Sequence, residues 1–131
     1  MKKRISYECL LVNGPVKEKV KYKEIGDHYE VKGVHHISFE VEGKPMHIQY
    51  DDTHVHLVND QSVLHFNKDM RVPNKYTLPY GVVELHTKVI SLEYREDTMK
   101  FIYELYDQEH LVTKAYMMVH YSDIDEEGMP S

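Results

Sequence analysis

Two histidines two residues apart, His54-x-His56, are the most metal-like arrangement in the chain. On a strand such residues face the same side, about 6.5–7 Å apart. Both imidazoles could then reach one Zn²⁺ at about 2.0–2.1 Å. Two ligands leave the shell open, so a third would have to come from a neighbouring strand, with His47 or His65 the candidates. The competing reading makes His54 and His56 the solvent-facing partners of an inward Val55 and Leu57, and that reading is preferred. His35-His36 is weaker still, because adjacent strand residues point to opposite faces. Cys9, the single cysteine, sits in an apolar run where a free thiol behaves as a small buried hydrophobe.

A second constellation is Arg71, Tyr76, Tyr80 and Glu84, which together could line the mouth or interior of a small barrel. Tyrosine suits such a place, having an apolar face and a polar tip. The alternative makes Pro79-Tyr80-Gly81 a structural corner, with Tyr80 plugging a barrel end. Glu84 decides between faces: if Val83, Leu85 and Thr87 point inward, Glu84 is outside. There is no Gly-x-Ser-x-Gly, no partner for Cys9, no phosphate loop and no dinucleotide fingerprint, so no catalytic set and no cofactor are implied.

The elements that must position these residues are strands. Period-two alternation runs from end to end. A first strand covers about 3–12 and stops at Asn13-Gly14-Pro15. A second follows from Val16, with Val20, Tyr22 and Ile25 on one face and a break or bulge at Gly26-Asp27. Ile37, Phe39 and Val41 then turn through Glu42-Gly43-Lys44 into Met46, Ile48 and Tyr50 as a hairpin. Short strands are expected at 53–58 and 62–66, and an irregular one at 71–77, where Pro73 marks an edge, bulge or turn. Val83, Leu85, Thr87 and Val89 share a face, with a bulge or face switch before Leu92 and Tyr94. Met99 to Leu105 and Leu111 to Tyr121 close the set. Residues 111–119 also fit helical spacing, with Asp107 as a cap. Residues 1–124 read as one domain and 125–131 as an acidic flexible tail. The pattern predicts an all-β, antiparallel up-and-down barrel of nine to ten strands.

Composition narrows the partners. A formal charge of −6 in 131 residues, with scattered Lys and Arg, argues against a nucleic-acid face. Lys17, Lys19, Lys21 and Lys23 read as the solvated side of a strand. No apolar stretch approaches a membrane helix and the N-terminus lacks an h-region, so a cytoplasmic location is expected. Protonating all ten histidines would move the formal charge by ten units. The eleven tyrosines reflect strand propensity.

At Lys75-Tyr76-Thr77-Leu78-Pro79-Tyr80-Gly81 the chain resembles the YwiB-like bacterial proteins of unknown function, small calycin-like β-barrels marked by a Tyr-x-Thr-Pro-Tyr-Gly stretch that enters a long strand. Tyr76, Pro79, Tyr80 and Gly81 fill the stretch, with altered spacing around Thr77-Leu78, and Glu84 and Thr87 follow. The Ile37-Ser38-Phe39 strand ending at Glu42 and the Phe101–Tyr106 strand also match in order, so the resemblance covers about residues 5–122. One departure is Val58-Asn59-Asp60-Gln61, where the family often carries Arg-x-Gly. The resemblance implies a calycin-like barrel and a strand rather than a helix at 111–119, and it supplies no activity. The expectation is a non-catalytic barrel binding a small, partly apolar molecule near Tyr76 and Tyr80. The alternative is a solid-core interaction or assembly protein that uses its outer surface or a strand edge near Pro73 to pair with a second copy or with another partner. Metal chemistry through the histidines ranks third.

Overall fold

The computed structural model describes residues 2–59 and 63–124, except for the side chains of Thr77 and Leu78. The expected tail, 125–131, lies outside them. The described residues form ten strands: β1 (Lys2–Asn13), β2 (Val16–Val31), β3 (Val34–Val41), β4 (Lys44–Tyr50), β5 (His54–Val58), β6 (Val63–Asn67), β7 (Val72–Leu78), β8 (Gly81–Tyr94), β9 (Thr98–Asp107) and β10 (His110–Asp123). They make one antiparallel sheet in the order β6-β5-β4-β3-β2-β1-β10-β9-β8-β7, which curls into a nearly closed barrel. Residues 111–119 lie in β10, so the helical alternative is gone.

Tight turns hold consecutive strands together. Lys32-Gly33 and Glu42-Gly43 take positive φ at both central positions (51° and 82°, 54° and 77°), as type I′ hairpins require. Gly14-Pro15 has positive φ only at Gly14, matching type II′.

Alternation selects the interior. Ile5, Tyr7, Cys9, Ile37, Phe39, Ile48, Tyr50, Val55, Leu57, Leu64 and Phe66 point inward from β1 and β3 to β6. Met99, Phe101, Tyr103, Ala115, Met117, Val119 and Tyr121 complete the core from β9 and β10. In β8 the register shifts between Val89 and Ser91, so Ile90 is extra and the inward pattern resumes at Leu92 and Tyr94. A second shift, between Leu111 and Thr113, leaves Leu111 half exposed rather than in the core.

β2 corrects the sequence expectation. Its register with β1 runs unbroken through Gly26 and Asp27, so there is no bulge, and Ile25 faces solvent at 48% exposure. Gly26 takes the inward place. A Cβ there would sit 2.2 Å from the Ser38 carbonyl oxygen and 2.7 Å from Ile5 Cδ1, so only glycine lets β2 lie this close to β3. Beyond that approach the strands part. β3 pairs with β2 only from Val34 to Ser38, opposite Val31 to Asp27.

The seam between β6 and β7 carries no ladder of its own among the described residues, and side chains close it. Asn74, 4% exposed, accepts from the His65 N–H (2.7 Å) and donates to the His65 carbonyl (3.0 Å). Its amide makes the two bonds that a backbone partner would make. Thr87, fully buried, donates to the same carbonyl at 2.6 Å and lies 3.2 Å from the Asn74 amide nitrogen. Pro73 precedes this clasp and pairs with His86 on its other side, so it marks the edge it was expected to mark.

Candidate functional site

The barrel interior holds two clusters of polar-tipped side chains. The first gathers Tyr7, Cys9, Tyr22, Tyr76 and Tyr103. Tyr7 lies across from Tyr22 in the β1–β2 ladder and packs on Phe39, with ring centroids 5.4 Å apart. Tyr103 is held between Phe66 (4.7 Å) and Phe101 (5.0 Å). Burial pushes the Tyr7 hydroxyl up, helped by Cys9, Tyr103 and Tyr22 beside it. Burial likewise pushes Tyr103 up, next to Cys9 and Tyr76. Both therefore stay protonated and can donate. Tyr22 is raised by burial and by the Glu42 carboxylate facing it. Leu11, Val20, Val41 and Leu105 form partly buried apolar walls.

The hydroxyls are the chemically open part of this cluster. Tyr103 has no hydrogen-bond partner among the described residues, and Tyr7 has only the Cys9 thiol, a weak one. Among the described residues, Arg71 Nε alone is a fully buried side-chain nitrogen or oxygen without a partner. The Tyr103 tip therefore touches accessible space. Burial raises the Cys9 thiol, outweighing Tyr7 beside it, so it is an inert neighbour and no nucleophile.

The second cluster is satisfied within itself. The Tyr50 and Tyr121 hydroxyls meet at 3.2 Å. His28 stacks on Tyr121 (4.2 Å) and its Nε2 meets His35 Nδ1 at 3.2 Å. His35 stacks on Tyr50 (4.8 Å), and Tyr94 meets both edge-on while its hydroxyl donates to Asp52. That bond, with burial, pushes Tyr94 up to about 12. The set plugs one part of the barrel with rings whose polar atoms are already engaged.

Five further histidines, His36, His47, His54, His56 and His65, decorate the outer face of β3 to β6. His36 Nδ1 and His47 Nε2 lie 3.3 Å apart, His47 Nδ1 meets Ser38 Oγ at 2.7 Å, and His56 packs edge-on against His65 at 4.4 Å. His54 is exposed and turned to Asp51 and Asn67, so it does not converge with His56. Val55 and Leu57 between them are buried, as the preferred reading required. Among the described residues no three His, Cys, Asp or Glu side chains come together to hold a metal.

The four residues singled out as ligand-lining are spread. Tyr76 packs against the core and belongs to the first cluster. Tyr80 is 84% exposed on the β7–β8 turn. Glu84 is outside, 3.3 Å from His86, because Leu85 and Thr87 take the inward places. Arg71 lies over the Tyr106 ring (4.5 Å) and donates to the Gln108 carbonyl (2.9 Å), which clamps the β9–β10 turn to the start of β7. Sequence reading did not single out Tyr7, Tyr22 or Tyr103. Their inward parity with Ile5, Val20 and Phe101 is visible in the chain, but the approach of β1 to β9 across β10 is not.

No protein-family model matches the chain, and neither does any curated protein. Among solved structures it is similar to the ywiB protein from Bacillus subtilis, with 13% identity and a TM-score of 0.75 over 95% of this chain and 92% of that one. The chain has the YwiB-like fold, as its Tyr76–Gly81 stretch suggested.

Proposed function

We propose that this protein is a non-catalytic, calycin-like barrel that binds a small, partly apolar molecule at the tyrosine cluster, in the cytoplasm. The observation that carries the reading is the Tyr103 hydroxyl, a protonated donor set among apolar rings with no hydrogen-bond partner among the described residues. A donor tip that touches accessible space beside apolar walls can bond a ligand's acceptor in place of water. A ligand with one acceptor and an apolar body fits such a place, contacting Phe39 and Leu105 with its body and Tyr7 or Tyr103 with its acceptor. Tyr76 stays in the ligand set, while Arg71, Tyr80 and Glu84 lie away from it.

The chain has no tryptophan, so its emission comes from its eleven tyrosines, four of which stand in this cluster. Titration with a panel of small amphipathic carboxylates, indoles and phenols should quench that emission saturably for at least one compound. Tyr103→Phe should weaken the same compound by roughly tenfold, the worth of one net hydrogen bond, and Tyr7→Phe by less. Affinity unchanged in the Tyr7→Phe/Tyr103→Phe double variant would remove the site.

A further inference from the structure

β2 is two strands in one. Its second part, Asp27 to Val31, is flanked on both sides near Asp27 and then by β3. Its first part, Val16 to Gly26, pairs with β1 on one side and, among the described residues, with no strand on the other. This is a free sheet edge of eleven residues. Across from it β3 also loses its partner after Ser38, so Phe39 to Val41 present a second, shorter edge. Gly26 is the pivot, because the close approach it allows to Ser38 is where the two strands diverge. A groove of about 550 Å³ opens there, lined by Glu24, Ile25, Gly26, Ser38, Phe39 and Met46 among others.

Charge on the edge identifies the occupant. Lys17, Lys19, Lys21 and Lys23 all project from the outer face, opposite Val12, Leu10, Glu8 and Ser6 of β1. Lys19 and Lys21 share one carboxylate, Glu8, at 3.6 and 3.8 Å, while Lys17 and Lys23 have no ion-pair partner among the described residues. A second copy of β2 laid antiparallel on this edge would set lysine opposite lysine in every register that keeps the outer face outward, and like charges in that position repel. On the other face, Val20 and Tyr22 are half-buried and apolar.

We infer that the β2 edge docks an extended segment of another protein that carries Asp or Glu at every second position and apolar residues between them. The segment adds as a strand: backbone hydrogen bonds to β2 supply affinity, the lysine row selects the acidic side, and the apolar side chains enter the groove toward Tyr22 and Phe39. This docking does not rest on the ligand reading: it uses the β2 backbone edge and the lysine row and needs none of the Tyr7 and Tyr103 hydroxyls, although its apolar side chains approach Tyr22 and Phe39 of the same cluster.

The test is a titration of the ¹⁵N-labelled full chain with a ten-residue peptide alternating glutamate with valine and threonine. Amide shifts should concentrate in Lys19–Ile25 and Phe39–Val41, and exchange protection should appear along β2. Affinity should fall several-fold between low salt and about 0.2 M. K17E/K23E changes two exposed lysines that lack ion partners among the described residues, so its spectrum elsewhere should be unaltered while binding weakens at least tenfold. The same peptide with lysine for glutamate should not bind. Absence of saturable binding, shifts centred elsewhere, or binding indifferent to K17E/K23E would overturn the inference. So would dimerisation through β2, or binding that appears only after residues 125–131 are removed, which would give the edge to the chain's own end.

Discussion

Asn74 shows how much one side chain can settle in a barrel. Two β-strands meet without a ladder, and an amide two bonds from the backbone takes the place of a backbone peptide, bonding both the N–H and the C=O of His65. Thr87 reinforces the acceptor side. Truncation leaves the part-buried His65 N–H without its partner, while the carbonyl keeps Thr87; a group left unpaired costs about 1–3 kcal/mol. Asn74→Ala should therefore lower stability by about 1–3 kcal/mol and Thr87→Val by about 1–2 kcal/mol, read from urea midpoints. Thr87→Ser keeps the hydroxyl and should recover most of the loss. An Asn74→Ala variant within about 0.5 kcal/mol of the parent, the usual range for surface changes, would mean that the seam is held by something other than this clasp.

At the level of elements, the strands were legible because each buries one face, and the face pattern is written in the chain. The extra residue at Ile90 could be seen as a break in alternation for the same reason. Gly26 was visible but misread: glycine in a strand signals either a bulge or a close approach, and only the position of β3 tells which. The clasp was not legible, since Asn74 looks like any polar residue in an irregular stretch. The histidine pairs needed the register, which set His36 near His47 and turned His54 away from His56. Those pairs make the sheet sensitive to acid. His28 is held below the usual histidine range by burial, then by His35 and Lys3, against Glu30. His47 is lowered by burial and His36, and His56 by burial, His65 and His54, against Asp51. The unfolded chain takes up these protons near pH 6.5, before the folded one does. Stability is therefore full above about pH 6.5 and falls as pH drops below it, until the folded groups also protonate. Urea midpoints at pH 7.5 and 5.5 should show the drop, and His47→Gln should flatten part of it. A midpoint that rises on acidification would contradict this assignment.

Across the whole molecule the interior is divided between a cluster that satisfies itself and one that does not. Tyr50, Tyr121, His28, His35 and Tyr94 bond and stack among themselves and close their part of the barrel. In the other, Tyr103 has no hydrogen-bond partner among the described residues and Tyr7 has only the Cys9 thiol, beside apolar walls. That asymmetry underlies the proposed ligand site, and the sequence did not reveal it because the participating strands are far apart in the chain. The most direct test is native mass spectrometry of untagged protein beside its denatured mass. The account predicts a native mass larger by one discrete small-molecule increment, which is lost in Tyr7→Phe/Tyr103→Phe and retained in Tyr80→Ala and Glu84→Gln. A native mass equal to the denatured one, in protein that also binds no compound of the amphipathic panel, would contradict it.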